Sequence, residues 1–497
     1  MEYLVLITSS LFFLILVQYL FGLYARAKLP PGPIGLPFFG NLLQIGPKPH
    51  RSLAKLAEQY GPLITLQLGS VTNVVVSSSE VAREIFQKHD ADFSGRSVPD
   101  AVAGGLQNHD VATPWISAGD QWRTLRKALS IYLTNPKKID KLQELRLKVV
   151  SKMVEHVKEI SKRGQDVDIG KLAFTTALNQ MSNTCFSVDV ADFSSNQDVN
   201  GFHHAVNTIM EVDGKMNFAD YFPWVKKFDP QGIRKDAKAA YGWLDQLCEK
   251  FIVQRLRHRE DNLPPHGDLL DSFLDFRQEN PVDFDVKQIK VLLMDLFIAG
   301  TDTNSSTIEW AMTELMIHSD IMQKLRKEIN ERINVKAPLV EADILELPYL
   351  QSVLKETMRL HLVVPLLLPH KTETNVKLNG YTIPKDTRVI FNVWAIARDS
   401  DSWESPEKFA PERFLSSEID YRGRYFSFLP FGSGRRMCPG IRLAERVMSL
   451  MLVSLVAHFD WKLPNNMLPE ELDLDDTFGV TSQKAIPLVL EPAIIDY

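Results

Sequence analysis

Cysteine is scarce in this chain: 497 residues hold only Cys185, Cys248 and Cys438. An odd count leaves at least one thiol unpaired, which excludes a secreted disulfide framework and indicates a reducing compartment. No two cysteines are close in sequence, so a zinc site built mainly on thiolates is excluded as well. A basic excess is also missing. Lys and Arg total 56 against 62 Asp and Glu, a net charge of −6, which argues against a nucleic-acid binder. From residue 34 onward there is no low-complexity stretch, internal repeat or long like-charge run. A dinucleotide loop is lacking too, because Gly432-x-Gly434 is followed by Met437 where a third glycine is needed. What remains is ordinary globular material, 45% hydrophobic and 24% charged, enough for a sizeable core.

The amino terminus departs from that average. No residue from Tyr3 to Ala25 carries a charge. Roughly 22 helical residues at about 1.5 Å each span the hydrocarbon thickness of a bilayer. A cleaved signal would place basic residues before a shorter apolar core. Here Glu2 comes first and Arg26 and Lys28 follow, so residues 1–28 are expected to anchor a body that lies in the cytosol. Pro30, Pro31 and Pro33 cannot continue that helix, and residues 29–50 read as a stiff proline-rich hinge.

The body, residues 51–497, reads as one mainly helical domain with a small β portion (α+β). β-like runs occur at 63–68, 74–76 and 388–393, around helical periodicity from about 118 to 360 and a last apolar helix near 440–458. Strands contributed from both ends of the chain indicate one interwoven domain.

The segment from Phe431 to Gly440 carries the most chemistry. Glycines at 432, 434 and 440 let the backbone bend around Cys438 and let a planar group approach it. Arg436 stands two residues before the sulfur, and a helix is expected from Ile441, so a charge and a dipole both favour the thiolate. Such a sulfur can ligate iron or act as a nucleophile; a lone cysteine can equally be a buried structural thiol. The pattern formed by Phe431, Gly434, Arg436, Cys438 and Gly440 resembles the haem-binding loop of cytochrome P450 monooxygenases, in which the cysteinate is an axial haem ligand.

That resemblance extends from the anchor to the last β-like segment and gives other residues their expected roles. Glu356 and Arg359 share a helix face, a spacing that Glu80 and Arg83 also show. With Arg413 they resemble the family's buried ion network, which is structural. A long apolar helix over 292–317 contains Ala299-Gly300-Thr301-Asp302-Thr303, where a small residue and a weakened ladder leave room above an iron. Asp302 and Thr303 resemble the family's proton-relaying acid–alcohol pair. Trp122, Arg126, Arg96, His370 and Arg436 match its partners for the haem propionates. After Arg359, relatives read Leu-His-Pro-Pro where this chain has Leu360-His361-Leu362-Val363, and losing two prolines should loosen the turn that leads into the pocket wall. By analogy the pocket is lined by the 99–118 loop, Phe297, Ile298, Ala299, Leu366, Leu367 and Val480. The segments 217–223, 229–232 and 310–312 are similar to the plant terpenoid-oxidising branch, which includes geraniol hydroxylases and ferruginol synthases.

The resemblance therefore implies haem b as cofactor and hydroxylation of a lipophilic terpenoid, an abietane-type diterpene or a monoterpene alcohol. It implies molecular oxygen as co-substrate, with electrons from NADPH through a separate FAD- and FMN-containing reductase at the endoplasmic reticulum membrane. Lys127, Lys137, Lys138 and Arg435 are the candidates for docking that reductase. The rival readings are a haem-thiolate isomerase or dehydratase, an oxidase of another plant secondary metabolite, and a non-catalytic membrane-tethered binding protein.

Overall fold

The structure, a computed structural model, describes residues 28–193, 196–335, 337 and 339–496. The expected anchor therefore lies outside the described residues, Lys28 excepted. Among the described residues no helix is long and apolar enough to cross a membrane.

Five strands form the main sheet: β1 (Leu63–Leu68), β2 (Val71–Val76), β3 (Gly95–Arg96), β4 (His370–Lys371) and β5 (Arg388–Phe391). Their spatial order is β1-β2-β5-β4-β3, with β2 and β5 parallel and the other pairs antiparallel. The early and late parts of the chain thus share one sheet. Its register sets Arg96 of β3 directly opposite His370 of β4. The proline-rich segment is bound to the sheet edge: Thr65 donates its N–H to Pro31 O, Pro30 and Pro33 are buried, and a Cβ on Gly32 would lie 2.1 Å from Thr65 O. Only a glycine permits that approach.

The helical part is built around α1 (Asp120–Leu133), α2 (Ile169–Phe186), α3 (Val286–Ile317), α4 (Pro348–Leu360) and α5 (Ile441–His458). α3 starts at a reciprocal capping box between Asp285 and Gln288 and runs through the main core with α2 along one side. It carries a run of polar residues in its middle, most of them buried, and their side chains bond back to carbonyls a turn earlier: Thr303 to Ala299 O (2.7 Å), Asn304 to Gly300 O (2.7 Å), Thr307 to Thr303 O (2.8 Å). Local satisfaction of this kind lets polar side chains sit in an apolar surround.

Buried ion clusters tie the helices to one another and to a late loop. Arg146 and Glu341, both 1% exposed, make a bidentate pair at 2.6 Å. Glu356 and Arg359 of α4 are fully buried, with bonds of 2.8 and 2.9 Å, and Arg413 Nε reaches Glu356 Oε1 at 3.0 Å. Ala410 N–H and the ring of Trp403, which lies against both guanidiniums, complete the cluster. The Glu80–Arg83 spacing builds nothing comparable, since Glu80 is exposed and bonded to Ser78.

The turn after α4 is held without prolines. Leu362 and Val363 are buried, and Val363 O accepts the Ser482 N–H at 2.7 Å. The loosening expected from the sequence is therefore offset by side-chain burial and a bond to a distant strand.

Removing the carboxylate of a fully desolvated cluster strands two guanidiniums. Glu356→Ala should lower unfolding free energy by about 3–5 kcal/mol, whereas Glu331→Gln, which breaks an exposed pair with Lys327, should cost under about 1 kcal/mol. Thermal and denaturant unfolding of both variants measures the contrast.

Candidate active site

Cys438 projects from a loop shaped by its glycines. Gly432 and Gly434 take φ values of 69° and 64°, and a short 3₁₀ turn (Gly434–Arg436) leads to the cysteine. Cys438 N–H donates to Phe431 O at 3.0 Å, closing the loop, and Gly440 N–H points at the sulfur at 3.4 Å. A Cβ on Gly434 would lie 2.1 Å from Asp90 Oδ1, and Asp90 also takes the Arg435 N–H and guanidinium. That carboxylate fixes the loop against the β-sheet side of the molecule, and sequence reading gave no sign of it.

The sulfur faces a cavity of about 310 Å³ that Ala299 and Thr303 of α3 also line, with Trp122, Arg126, Phe431, Val363, Leu367 and Val480. On α3 the stripe Asp295, Ala299, Thr303, Thr307 faces this space at steps of four residues. Met210 joins it because the Val480 N–H donates to Met210 O.

The structure separates several residues grouped by sequence. Phe297 points into the core, stacked with Phe186 (5.4 Å) and Phe202 (6.4 Å). Ile298 packs on the same core and Leu366 packs beneath the main sheet, so neither lines the cavity. Gly300 turns toward α2, where a Cβ would lie 2.6 Å from Met181 Sδ. Its small size serves a helix crossing, and Ala299 is the small residue exposed to the cavity. Asp302 and Thr303 diverge in the same way. Thr303 faces the cavity, while Asp302 is buried against the hairpin β6 (Asp476–Phe478) and β7 (Ser482–Lys484), bonded to Gln483. Burial raises the Asp302 carboxyl to about 6, against the lowering effect of Thr481 and Gln483.

Electrostatics decide what the cavity can hold. Arg96 donates to Pro114 O (3.1 Å) and Leu368 O (2.6 Å), and Arg126 donates to Met437 O (2.9 Å). Arg436 donates to Ser94 O at 2.6 and 2.8 Å. Trp122 lies against both Arg126 (5.6 Å) and Arg436 (4.9 Å). Among the described residues none of these three guanidiniums meets a carboxylate. Burial, with the charge of Arg436 second, pushes Arg96 well below its ordinary value; burial and Arg126 take Arg436 to about 10. His370, bonded to Phe93 O at 2.7 Å, is held neutral by burial and the charge of Arg96. Burial also raises the Cys438 thiol, and the Gly440 N–H and then Arg126 oppose it. The cation acting on the sulfur is therefore Arg126; Arg436, which the sequence suggested, is engaged with carbonyls.

Unneutralised cations beside a largely apolar cavity with a thiol in its wall suit an apolar group that carries negative charge and accepts a sulfur ligand. Haem would fit there: Cys438 would ligate its iron, and Arg96, Arg126, Arg436, Trp122 and His370 would hold its propionates. When bound it supplies the oxygen activation that no side chain can.

Cys438→Ser should yield protein whose ferrous carbonyl absorption lacks the thiolate signature, and Arg436→Met should lower the haem-to-protein ratio of purified material. The folded Asp302 carboxyl binds its proton more tightly than the unfolded one, whose pKa is about 4. Its contribution to stability is therefore complete below about pH 4 and lost as pH rises through 6. Asp302→Asn should flatten the fall in thermal stability between pH 4 and 8.

Comparison with known proteins agrees with this chemistry. A family-wide sequence profile described as Cytochrome P450 matches residues 30–489. Geraniol 8-hydroxylase of Catharanthus roseus is 42% identical over 496 residues, 100% of both chains. Geranylhydroquinone 3''-hydroxylase of Arnebia euchroma is 41% identical over 495 residues, 99% of both. Cytochrome P450 76AD1 of Beta vulgaris is 43% identical over 478 residues, 96% of this chain and 95% of its own. With the profile spanning the cysteine loop, the ion network and the central helix alike, the chain belongs to the cytochrome P450 family and is a haem b monooxygenase supplied with electrons from NADPH by a separate reductase.

Proposed function

We propose that this enzyme hydroxylates a lipophilic terpenoid, a monoterpene alcohol or an abietane-type diterpene. The observation that carries the reading is the cavity wall: Met210, Leu296, Ala299, Val363, Val364, Leu367 and Val480 give it an apolar lining around the sulfur. Such a surface holds a hydrocarbon skeleton by shape and excludes water. Two relatives of about 42% identity are named for geraniol and geranylhydroquinone, which share a geranyl chain. In the proposed site Cys438 ligates the iron, and Phe431 and Gly440 shape its loop. Thr303 presents a hydroxyl to the cavity, and Asp302 supplies it with protons by turning from Gln483.

We further propose an endoplasmic reticulum location, with residues 1–28 as anchor, 29–50 as hinge and 51–497 as the cytosolic domain. Supporting this, Ile34, Leu36, Phe38 and Leu43, just after the anchor, are exposed, as are Trp224 and Phe228, and Phe38 lies 4.9 Å from Phe222 and 6.1 Å from Trp224. An exposed apolar patch of that extent suits a lipid surface. The reductase would meet Lys127, Lys137 and Lys138; Arg435 is already paired with Asp90 at 3.0 Å.

Microsomes containing the chain, a reductase and NADPH should convert at least one of geraniol, geranylhydroquinone and an abietane diterpene to a product one oxygen atom heavier, seen by mass spectrometry. Turnover of none of them, in preparations with a normal ferrous carbonyl spectrum, would overturn the substrate class.

A further inference from the structure

Asp295 stands one helical turn before Ala299, and its carboxyl group borders the same cavity. Oδ2 accepts the main-chain N–H of Thr113 at 3.0 Å, which fixes the side chain, and Oδ1 has no hydrogen-bonding partner among the described residues. The cavity it borders is lined mainly by apolar side chains, Met210, Leu296 and Val480 among them. A carboxyl group with open hydrogen-bonding capacity in such a wall is costly unless a bound molecule supplies a partner.

We propose that Asp295 is a specificity-determining residue that hydrogen-bonds the hydroxyl group of an alcohol substrate and so fixes which end of the molecule lies near Thr303. The inference rests on the terpenoid reading for the carbon skeleton but not for the hydroxyl. Asp295 and Thr303 are eight residues apart on α3, about 12 Å along its axis. An alcohol held at Asp295 therefore offers the far end of its chain for oxidation. Burial raises the Asp295 carboxyl to about 8, so at neutral pH it is mainly an uncharged acid that both donates and accepts. An ammonium ligand fits less well, because Arg436 reaches the carbonyl of Thr113, the residue whose N–H holds Asp295.

The test uses the haem-loaded full-length protein and the substrate-induced shift of haem absorption as a binding readout. The probes are geraniol with the hydrocarbon that lacks its hydroxyl, and dodecanol with dodecane. The wild type should bind each alcohol about tenfold more tightly than its hydrocarbon, the worth of one buried hydrogen bond. Asp295→Leu should lose that preference with hydrocarbon affinity unchanged. Asp295→Asn keeps a carbonyl for Thr113 N–H and an N–H for the ligand, and should retain it. If the leucine variant does not load haem, infrared difference spectra decide. The protonated-carboxyl band of the wild type, absent from Asp295→Asn, should shift to lower frequency with geraniol and not with the hydrocarbon. A wild type without alcohol preference, a leucine variant that retains it, or an unmoved band overturns the inference. Preference for dodecanol with no binding of either terpenoid would overturn the terpenoid reading and leave the Asp295 assignment standing.

Discussion

Three guanidiniums, those of Arg96, Arg126 and Arg436, are held beside one cavity by main-chain carbonyls and meet no carboxylate among the described residues. Withdrawing each from water costs several kcal/mol that carbonyl dipoles offset only in part. The polypeptide is therefore electrostatically incomplete there, and a dianionic cofactor completes it. The same field acts on the thiol. Burial works against the thiolate of Cys438, while Arg126 and the Gly440 N–H work for it. A single charge arrangement would thus serve both to attract an anionic cofactor and to ready the thiol as its ligand.

The contrast with Glu356, Arg359 and Arg413 separates architecture from function. Both groups bury arginines, but around Glu356 the two guanidiniums share one carboxylate and the remaining polar atoms are met by Ala410 N–H and the Ala397 and Lys408 carbonyls. A saturated cluster has nothing left to offer a ligand and serves to fix α4 against the loop that precedes the cysteine. The unsaturated one is where a ligand belongs. The main sheet links the two regions, since the pairing of β3 with β4 sets Arg96 against His370 at the cavity edge.

Local signals were legible in the sequence and directional ones were not. The helical body, the small β portion drawn from both ends of the chain and the cysteine loop follow from periodicity, β-branched runs and glycine spacing, and the five residues that the resemblance assigned to the propionates line one cavity. Side-chain direction on α3 was misread. Phe297, Ile298 and Gly300 adjoin Ala299 in sequence, yet successive helical residues are about 100° apart, so the cavity is met by the four-residue stripe through Ala299 with Leu296 and Asn304 at its edges. That stripe could have been drawn from the sequence and would have included Asp295. Asp90 and Met210 carry no such signal. Asp90 reaches the site through a loop, and Met210 through a helix whose Met210 carbonyl accepts the Val480 N–H, neighbours that only the folded chain brings near.

The opposite faces of α3 explain why substrate identity resists reading from overall likeness. Away from the cavity the helix is fixed by Met181 against Gly300 on one flank and by the Asp302–Gln483 bond on another, contacts that serve the core whatever the ligand. The other face meets the ligand through few atoms, and most of them are methyls and methylenes. Apolar contacts of that kind discriminate weakly, by about 1–3 kcal/mol per methylene, whereas one buried polar group left unpaired by the wrong ligand rejects it far more strongly. Relatives sharing about 42% of their residues can therefore keep the whole scaffold and still differ in substrate through one or two polar positions on the cavity stripe. Substrate choice in this chain is then a matter of where a hydrogen-bonding group interrupts an otherwise apolar wall, and on α3 the carboxyl group of Asp295 is such an interruption.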